Sequence, residues 1–166
     1  MVRDAFLQGM SSMASTVSVV ATDGRAGRQG VTVSAMCSVS ADPPMLLVCI
    51  HHQSRTVSAI CENSVFCVNV LSEGQRPISD IFAGQLSAEE DQRFSAVDWS
   101  AGETGAPRFA GALAAFDCRV EEIHRAGTHY IFIGRVEQTH LDDGRPLVYG
   151  NRNYCTVSGW SYDDAT

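Results

Sequence analysis

The chain of 166 residues has a formal net charge of −7, with 45% hydrophobic and 19% charged residues, which indicates a single globular domain over residues 1–166 rather than a disordered chain. All twelve basic residues are arginine, and the absence of lysine excludes a Walker A phosphate loop and Schiff-base or pyridoxal-phosphate chemistry. The acidic balance argues against nucleic-acid binding. Because no long apolar run or signal-peptide pattern occurs, we expect a cytoplasmic protein that does not bind membranes.

The N-terminal part of the chain predicts a helix followed by a hairpin. Residues 3–13 carry apolar side chains at helical spacing, which predicts a short lid helix with one face formed by Phe6, Met10 and Met13. Residues 16–22 alternate as a strand does, and Asp23-Gly24 is a turn signal. We therefore expect the chain to reverse and a second strand to begin near Val31.

The centre of the chain predicts two strands and two helices. An apolar run predicts a strand over 45–51. Ser54 is a suitable N-cap for a helix whose apolar stripe contains Val57, Ile60 and Cys61. Residues 65–71 predict another strand, and a helix is expected over 75–85 with Pro77 near its first position.

The C-terminal part predicts a long connection and then a group of strands. Residues 86–111 are polar and lack periodicity, so we expect a long ordered loop anchored by Phe94, Val97 and Trp99. Two long strands are expected at about 113–125 and 129–140, and residues 146–157 add a last strand or hairpin. Closely spaced, mostly antiparallel strands with short helices predict a mainly β fold, a small β-barrel with helical additions.

Cysteine spacing favours free thiols over metal ligands. No Cys-x-x-Cys pair occurs, whereas zinc sites usually contain closely paired ligands. Four cysteines lie within apolar runs and are expected to be buried as small hydrophobic side chains, namely Cys49, Cys61, Cys67 and Cys118. His51 and His52 are adjacent in a predicted strand and would point to opposite faces, so no metal site is predicted.

Small and polar side chains fill the segment GVTVSAMCSVSADPP, residues 30–44, where a core strand would carry bulky ones. Short side chains allow a ligand to approach the backbone closely, and hydroxyl groups can donate or accept hydrogen bonds there, from Thr32, Ser34, Ser38 and Ser40. This pattern fits a flat aromatic ligand with polar edges. The alternative is a sheet face packed closely against a helix or another subunit.

The next segment, HHQSRT at residues 51–56, predicts an anion site at the start of a helix. The free N–H groups of a helix N-terminus bind phosphate, and Ser54, Arg55 and Thr56 would add to them; plain helix capping is the alternative. A ring site beside a phosphate site predicts a phosphorylated flat cofactor such as FMN. The glycines in residues 24–30 lack the G-x-G-x-x-G spacing of a Rossmann dinucleotide site.

Six motifs, in the same order, resemble those of the short-chain flavin reductases, the reductase components of two-component flavin monooxygenases. They are GRQGVTVSAMCSVSADPPMLLVCIHHQSRT, NSVFCVNVLSEGQ, IFAG, FDCRV, GTHYIFIGRV and PLVYGNRNY, and the resemblance covers residues 4 to 157. It implies an FMN-binding split β-barrel and a homodimer with the flavin near the subunit interface. It also implies reduction of flavin by NADH or NADPH, with FAD as an alternative to FMN.

The resemblance further implies which residues contact the cofactors. On the flavin side these are Thr32, Val33, Ser34, Ala35, Ser38, Val39, Ser40, Cys49, Ile50, His51, Ser54, Arg55, Thr56 and, as a neighbour of the ring, Phe82. On the nicotinamide side they are His129, Tyr149, Arg152 and Tyr154. Taken without the resemblance, His129 is better explained as a histidine at a strand start that satisfies a turn carbonyl, and the segment 149–154 is equally suited to form a solvated strand edge. Val33 departs from the smaller residue that the family usually carries there.

Three functions fit these expectations. The first is an NAD(P)H:flavin oxidoreductase that releases reduced flavin to a partner monooxygenase, with no catalytic acid or base required because the cofactors carry the hydride chemistry. The second keeps FMN bound and reduces another acceptor, such as a Co(II) corrinoid in cobalamin biosynthesis. The third is a non-enzymatic flavin- or heme-binding module on the same barrel.

Overall fold

The computed structural model describes residues 1–84 and 90–159. Its helices are α1 (Val2–Ser11), α2 (Arg55–Asn63), α3 (Arg76–Phe82) and α4 (Glu90–Ser95). Its strands are β1 (Ser15–Thr16), β2 (Ser18–Thr22), β3 (Gln29–Val33), β4 (Met36–Ala41), β5 (Pro44–His51), β6 (Val65–Val70), β7 (Trp99–Ala101), β8 (Pro107–Phe109), β9 (Ala114–Ala126), β10 (His129–Leu141), β11 (Val148–Gly150) and β12 (Asn153–Cys155). The prediction of a mainly β fold with short helices is confirmed.

Seven of these strands form one antiparallel sheet in the order β3-β2-β6-β9-β10-β5-β4. The two longest, β9 and β10, form a hairpin whose turn is Gly127-Thr128, close to the predicted boundaries. A smaller sheet pairs β1 with the β11–β12 hairpin. Because β3 and β4 lie at opposite edges of the large sheet, the chain between them must bridge those edges within two residues, at Ser34 and Ala35.

The main core lies between the large sheet and α2. Its fully buried side chains include Val48, Ile60, Phe66 and Phe132, and burying each one stabilises the fold by about 1.5–3 kcal/mol. The predicted N-cap of α2 is confirmed, because the Ser54 hydroxyl accepts a hydrogen bond from the Thr56 N–H at 3.3 Å. The cap therefore fixes where β5 ends and where α2 begins to cover the core.

A second core contains a group of aromatic rings from α3, α4 and β8. Phe94 packs edge-to-face on Phe82, with ring centroids 5.0 Å apart, and Phe109 contacts both rings. The predicted anchors Phe94, Val97 and Trp99 all pack here. The expectation of an irregular loop over 86–111 is wrong for its described part, because α4 and the β7–β8 hairpin form there; residues 86–89 lie outside the described residues.

The predicted helix over 75–85 begins near the expected residue but is shorter. A 3₁₀ turn at Glu73–Gln75 precedes α3, Pro77 occupies its second position, and α3 ends at Phe82. Residue 85 lies outside the described part of the chain. No helix within residues 1–84 and 90–159 is long and apolar enough to cross a membrane.

The six cysteines are free thiols with different degrees of burial. Cys67 and Cys118 are fully buried, as predicted, and Cys49 is half-buried. The prediction for Cys61 is wrong, because in α2 it lies next to the buried Ile60 on the exposed side of the helix. Among the described side chains, no three His, Cys, Asp or Glu are placed to hold a metal ion together.

Burial predicts selective thiol chemistry. Burial, and secondarily the nearby Asp117 carboxylate, raises the pKa of the Cys67 and Cys118 thiols, so the reactive thiolate is disfavoured in both. We expect iodoacetamide to alkylate the exposed Cys155 in the native protein and to reach Cys67 and Cys118 only after unfolding, as followed by peptide mass spectrometry. Equal alkylation rates for Cys118 and Cys155 would contradict this burial pattern.

Candidate cofactor-binding groove

An open groove of about 240 Å³ lies where β3, β5, α2 and β10 meet. It contains nine of the predicted site residues, namely Thr32, Val33, Ser34, Ala35, Cys49, Ile50, His51, Ser54 and His129, together with Val31. The backbone is fixed at its floor, since the Cys49 N–H donates to the Ala35 carbonyl at 3.0 Å. Ser34 and Ala35 are exposed and short, so a ligand in the groove reaches main-chain atoms at this point.

The two faces of β3 have different partners. Val31 and Val33 pack toward the main core, whereas Gly30 and Thr32 face α3. The Thr32 hydroxyl donates to the Ser79 carbonyl at 2.8 Å, and a Cβ atom at Gly30 would lie 2.8 Å from Phe82 Cε1. The alternative explanation for small residues, close packing against a helix, therefore holds for Gly30 and Thr32.

Six predicted flavin contacts do not line the groove in this subunit, namely Ser38, Val39, Ser40, Phe82 and, at the start of α2, Arg55 and Thr56. Phe82 is 2% exposed, because α3 directs its ring into the second core. The ring packs against β3 at Gly30 and does not line the groove. Ser38, Val39 and Ser40 lie farther along the edge strand β4, where a register shift against β5 leaves Val39 exposed. The chain turns into β4 at Ala35, so these three residues leave the groove.

The start of α2 forms one end of the groove. Arg55 is exposed and, among the described residues, makes no ion pair. Thr56 is 2% exposed, so its side chain faces the protein interior rather than the groove, unlike the predicted arrangement. An anion at this end therefore meets the Arg55 guanidinium, the Ser54 side chain and the positive end of the α2 dipole.

Two histidines face each other across the sheet at the mouth of the groove. His51 and His129 are paired residues of β5 and β10, and their rings meet edge-to-face with centroids 5.2 Å apart. The Gln53 N–H donates to His51 Nδ1 at 3.3 Å, so the neutral His51 ring carries its proton on Nε2 and is a hydrogen-bond donor there. His129 Nδ1 lies 2.9 Å from the Thr128 hydroxyl.

A second recess of about 210 Å³ continues the groove past Thr32, Val33 and Ser34. Tyr149 and Tyr154 line it, with their rings 5.4 Å apart and edge-to-face. The Tyr154 hydroxyl donates to Asp80 Oδ1 at 2.8 Å and lies 2.9 Å from Ser79 Oγ. Burial raises the pKa of Tyr154, so its hydroxyl remains a donor even in mildly alkaline solution.

Sequence analysis missed Ser79 and Asp80, which hold Tyr154 in place. Both lie in the predicted helix, but helical spacing alone does not show which of its polar residues face another element. The groove and the second recess share three residues, and their combined volume falls within the range of about 300–1,000 Å³ found for small-molecule sites. Short side chains along the wall and an anion-binding end fit a phosphorylated flat ring such as FMN.

Comparison with known proteins supports this assignment. Residues 10–158 match the flavin reductase-like domain. A relative from Bradyrhizobium diazoefficiens, named FMN reductase (NADH) RutF, is 44% identical over 155 residues, covering 92% of this chain and 84% of the relative.

Two solved structures show the same fold. The flavin reductase component BorF of a bacterial two-component tryptophan halogenase has a TM-score of 0.86 at 30% identity and covers 95% of this chain and 99% of its own. The styrene monooxygenase flavin reductase of Pseudomonas putida S12 has a TM-score of 0.82 at 25% identity. The match covers 94% of this chain and 99% of the reductase. The predicted family resemblance and the split-barrel fold are confirmed.

The Ser54 cap predicts a measurable contribution to stability. Replacing Ser54 with alanine removes the acceptor for the Thr56 N–H and should lower the free energy of unfolding by about 1 kcal/mol in urea titrations. Ser58→Ala is the matched control, because Ser58 is exposed inside the same helix and its hydroxyl donates a solvent-exposed hydrogen bond to the Arg55 carbonyl but caps no N–H group; a change below about 0.5 kcal/mol is expected. Equal losses for the two variants would argue against the cap.

Proposed function

Because this chain belongs to the flavin reductase-like family, we propose that it binds FMN in the groove and reduces it with NADH. The observation that carries the proposal is the junction of a short-side-chain wall, Thr32–Ala35, with the start of α2 in one groove. Bound FMN would supply the ring that accepts a hydride from the nicotinamide. The relatives' names, FMN reductase (NADH) and flavin reductase component, support both cofactors.

The residues of the groove bind and orient the flavin. The exposed backbone around Ser34 and Ala35 offers hydrogen-bonding groups to the polar edge of the ring. Ser54 and Arg55 hold the phosphate at the positive end of α2. With the phosphate at that end, the residues of β3 that line both the groove and the second recess, Thr32 and Val33, would hold the ring.

The second recess orients the hydride donor. Tyr149 and Tyr154 provide aromatic surface beside the ring site, and the hydrogen bonds of Tyr154 to Asp80 and Ser79 fix that surface. His129, at the mouth of the groove, is placed to donate to or accept from the carboxamide of a nicotinamide. These side chains hold the two rings at reacting distance, and no side-chain acid or base is needed.

We expect the reduced flavin to leave the protein for a partner monooxygenase. The groove is open, and its exposed lining residues include Ser34, Ala35 and His51, so no described segment must move before the ligand departs. Solved neighbours that are reductase components of two-component enzymes support this role. The six free thiols fit a reducing compartment, and we therefore place this activity in the cytoplasm.

A homodimer is supported by two uncovered surfaces. Helix α1 has ten residues and none is buried. Its apolar side chains Phe6 and Met10, and Met13 just after the helix, are 62%, 49% and 56% exposed. A helix of this length is marginal without packing, so a second copy is the proposed cover. The edge strand β4, which carries Ser38–Ser40, is the second surface. Association of two copies through β4 would bring these predicted flavin contacts toward the partner's groove.

Flavin specificity tests the groove. Wild-type protein should oxidise NADH with either FMN or riboflavin as acceptor, whereas Arg55→Ala should raise the KM for FMN about ten- to a hundredfold and leave that for riboflavin nearly unchanged, because only FMN carries the phosphate. The KM values for both flavins are measured from the steady-state loss of NADH absorbance. Equal losses for the two flavins would overturn the phosphate assignment, and no NADH oxidation by the wild type would overturn the function.

Sedimentation velocity tests the dimer. Wild-type protein should sediment at about twice the chain mass of 17.9 kDa, and Phe6→Glu should shift it toward the monomer by placing a charge in an apolar interface. Gln8→Glu introduces the same charge on the other face of α1 and should leave the dimer intact. A monomeric wild type, or equal dissociation by both variants, would contradict this interface.

A further inference from the structure

A third recess, of about 270 Å³, adjoins the second at its far end from the flavin groove. It shares Tyr149 and Tyr154 with the second recess, and its other lining residues are Arg76, Asp80, Arg152 and Asn153. The three recesses therefore follow one another along the protein surface. Their lining changes from short side chains, through aromatic rings, to two guanidinium groups in a chain whose net charge is −7.

Arg76 is held in place but remains accessible. Its guanidinium lies over the Tyr154 ring, 4.8 Å from the centroid, and its Nε lies 3.9 Å from Asp80 Oδ2. The side chain is nevertheless 63% exposed. Stacking on an aromatic face leaves the N–H groups at the guanidinium edge free to bind an anion.

Arg152 occupies a backbone position that glycine would favour. Asn151 and Arg152 form the two-residue β11–β12 turn with φ values of 49° and 61°, in the left-handed region. Such turns prefer glycine at their second position, and a non-glycine residue held there often marks a functional site. The turn is fixed by a 2.7 Å hydrogen bond from the Asn151 N–H to the Ser11 carbonyl. Within the described residues, Arg152 has no ion-pair partner.

We propose that Arg76 and Arg152 bind the diphosphate of the nicotinamide dinucleotide, an inference that rests on the NADH-dependent reduction proposed above. With the nicotinamide beside Tyr149 and Tyr154, the diphosphate lies one ribose farther along the same surface, toward the third recess. Guanidinium groups match phosphate oxygens in geometry and charge. Asp80 positions the site, because its two oxygens contact Tyr154 and Arg76.

A hydride donor without phosphates distinguishes binding of the diphosphate from binding of the nicotinamide ring. N-benzyl-1,4-dihydronicotinamide carries the reacting ring and carboxamide of NADH but no diphosphate. Arg76→Ala and Arg152→Ala should each raise the KM for NADH about tenfold, with a larger increase in the double variant. The KM for the benzyl donor should change less than twofold, which also shows that the variants are folded.

In the wild type, added salt should raise the KM for NADH, and the double variant should lose this dependence.

Two controls sharpen the experiment. Arg25→Ala removes the same charge from the exposed β2–β3 turn, outside all three recesses, and should leave both KM values unchanged. Arg76→Lys keeps the charge and should recover part of the affinity for NADH. The phosphate site is overturned, with the proposed function intact, if the double variant keeps the wild-type KM for NADH or if both donors lose affinity equally. A wild type that oxidises neither donor overturns both.

Discussion

The close contact between β3 and α3 is the constraint on which the site depends. Gly30 leaves room for the Phe82 ring, and Thr32 donates to the Ser79 carbonyl. Because α3 lies directly on β3, Ser79 and Asp80 reach Tyr154, and the aromatic recess forms beside the flavin groove. One packing contact thus places the proposed flavin wall and the proposed hydride-donor surface next to each other.

The small residues of the segment 30–35 serve two purposes at once. On one side of β3 they permit helix packing, and beyond its end Ser34 and Ala35 expose the backbone to the groove. Of the two explanations considered from the sequence, packing holds at Gly30 and Thr32, and ligand approach remains the prediction for Ser34 and Ala35. A bulky substitution in this segment would therefore disturb stability or cofactor binding according to the face that it occupies.

Local signals predicted much of the fold and of the groove. Turn residues, strand alternation and the Ser54 cap depend on neighbours in the chain, and the corresponding elements formed within a few residues of their expected bounds. The family motifs located nine residues that meet in one groove. Cys61 was misplaced because helical periodicity does not fix which side of a helix meets the core. Thr56 and Phe82 were expected from the helix-start pattern and the family motifs, and neither signal shows that the chain buries both side chains. Ser79 and Asp80 gave no signal, since their partner Tyr154 lies more than seventy residues away in the chain.

The hydrogen bond from Asn151 to the Ser11 carbonyl connects two parts of the molecule with different roles. Ser11 ends α1, the helix without buried residues, and Asn151 begins the turn that carries Arg152. Anything that orders α1 therefore also restrains this turn, and a restrained turn loses less conformational entropy when an anion binds. Subunit association and dinucleotide affinity would then be thermodynamically linked, each favouring the other. A flavin reductase of this design would hold its hydride donor less tightly as a single subunit than as an assembled pair.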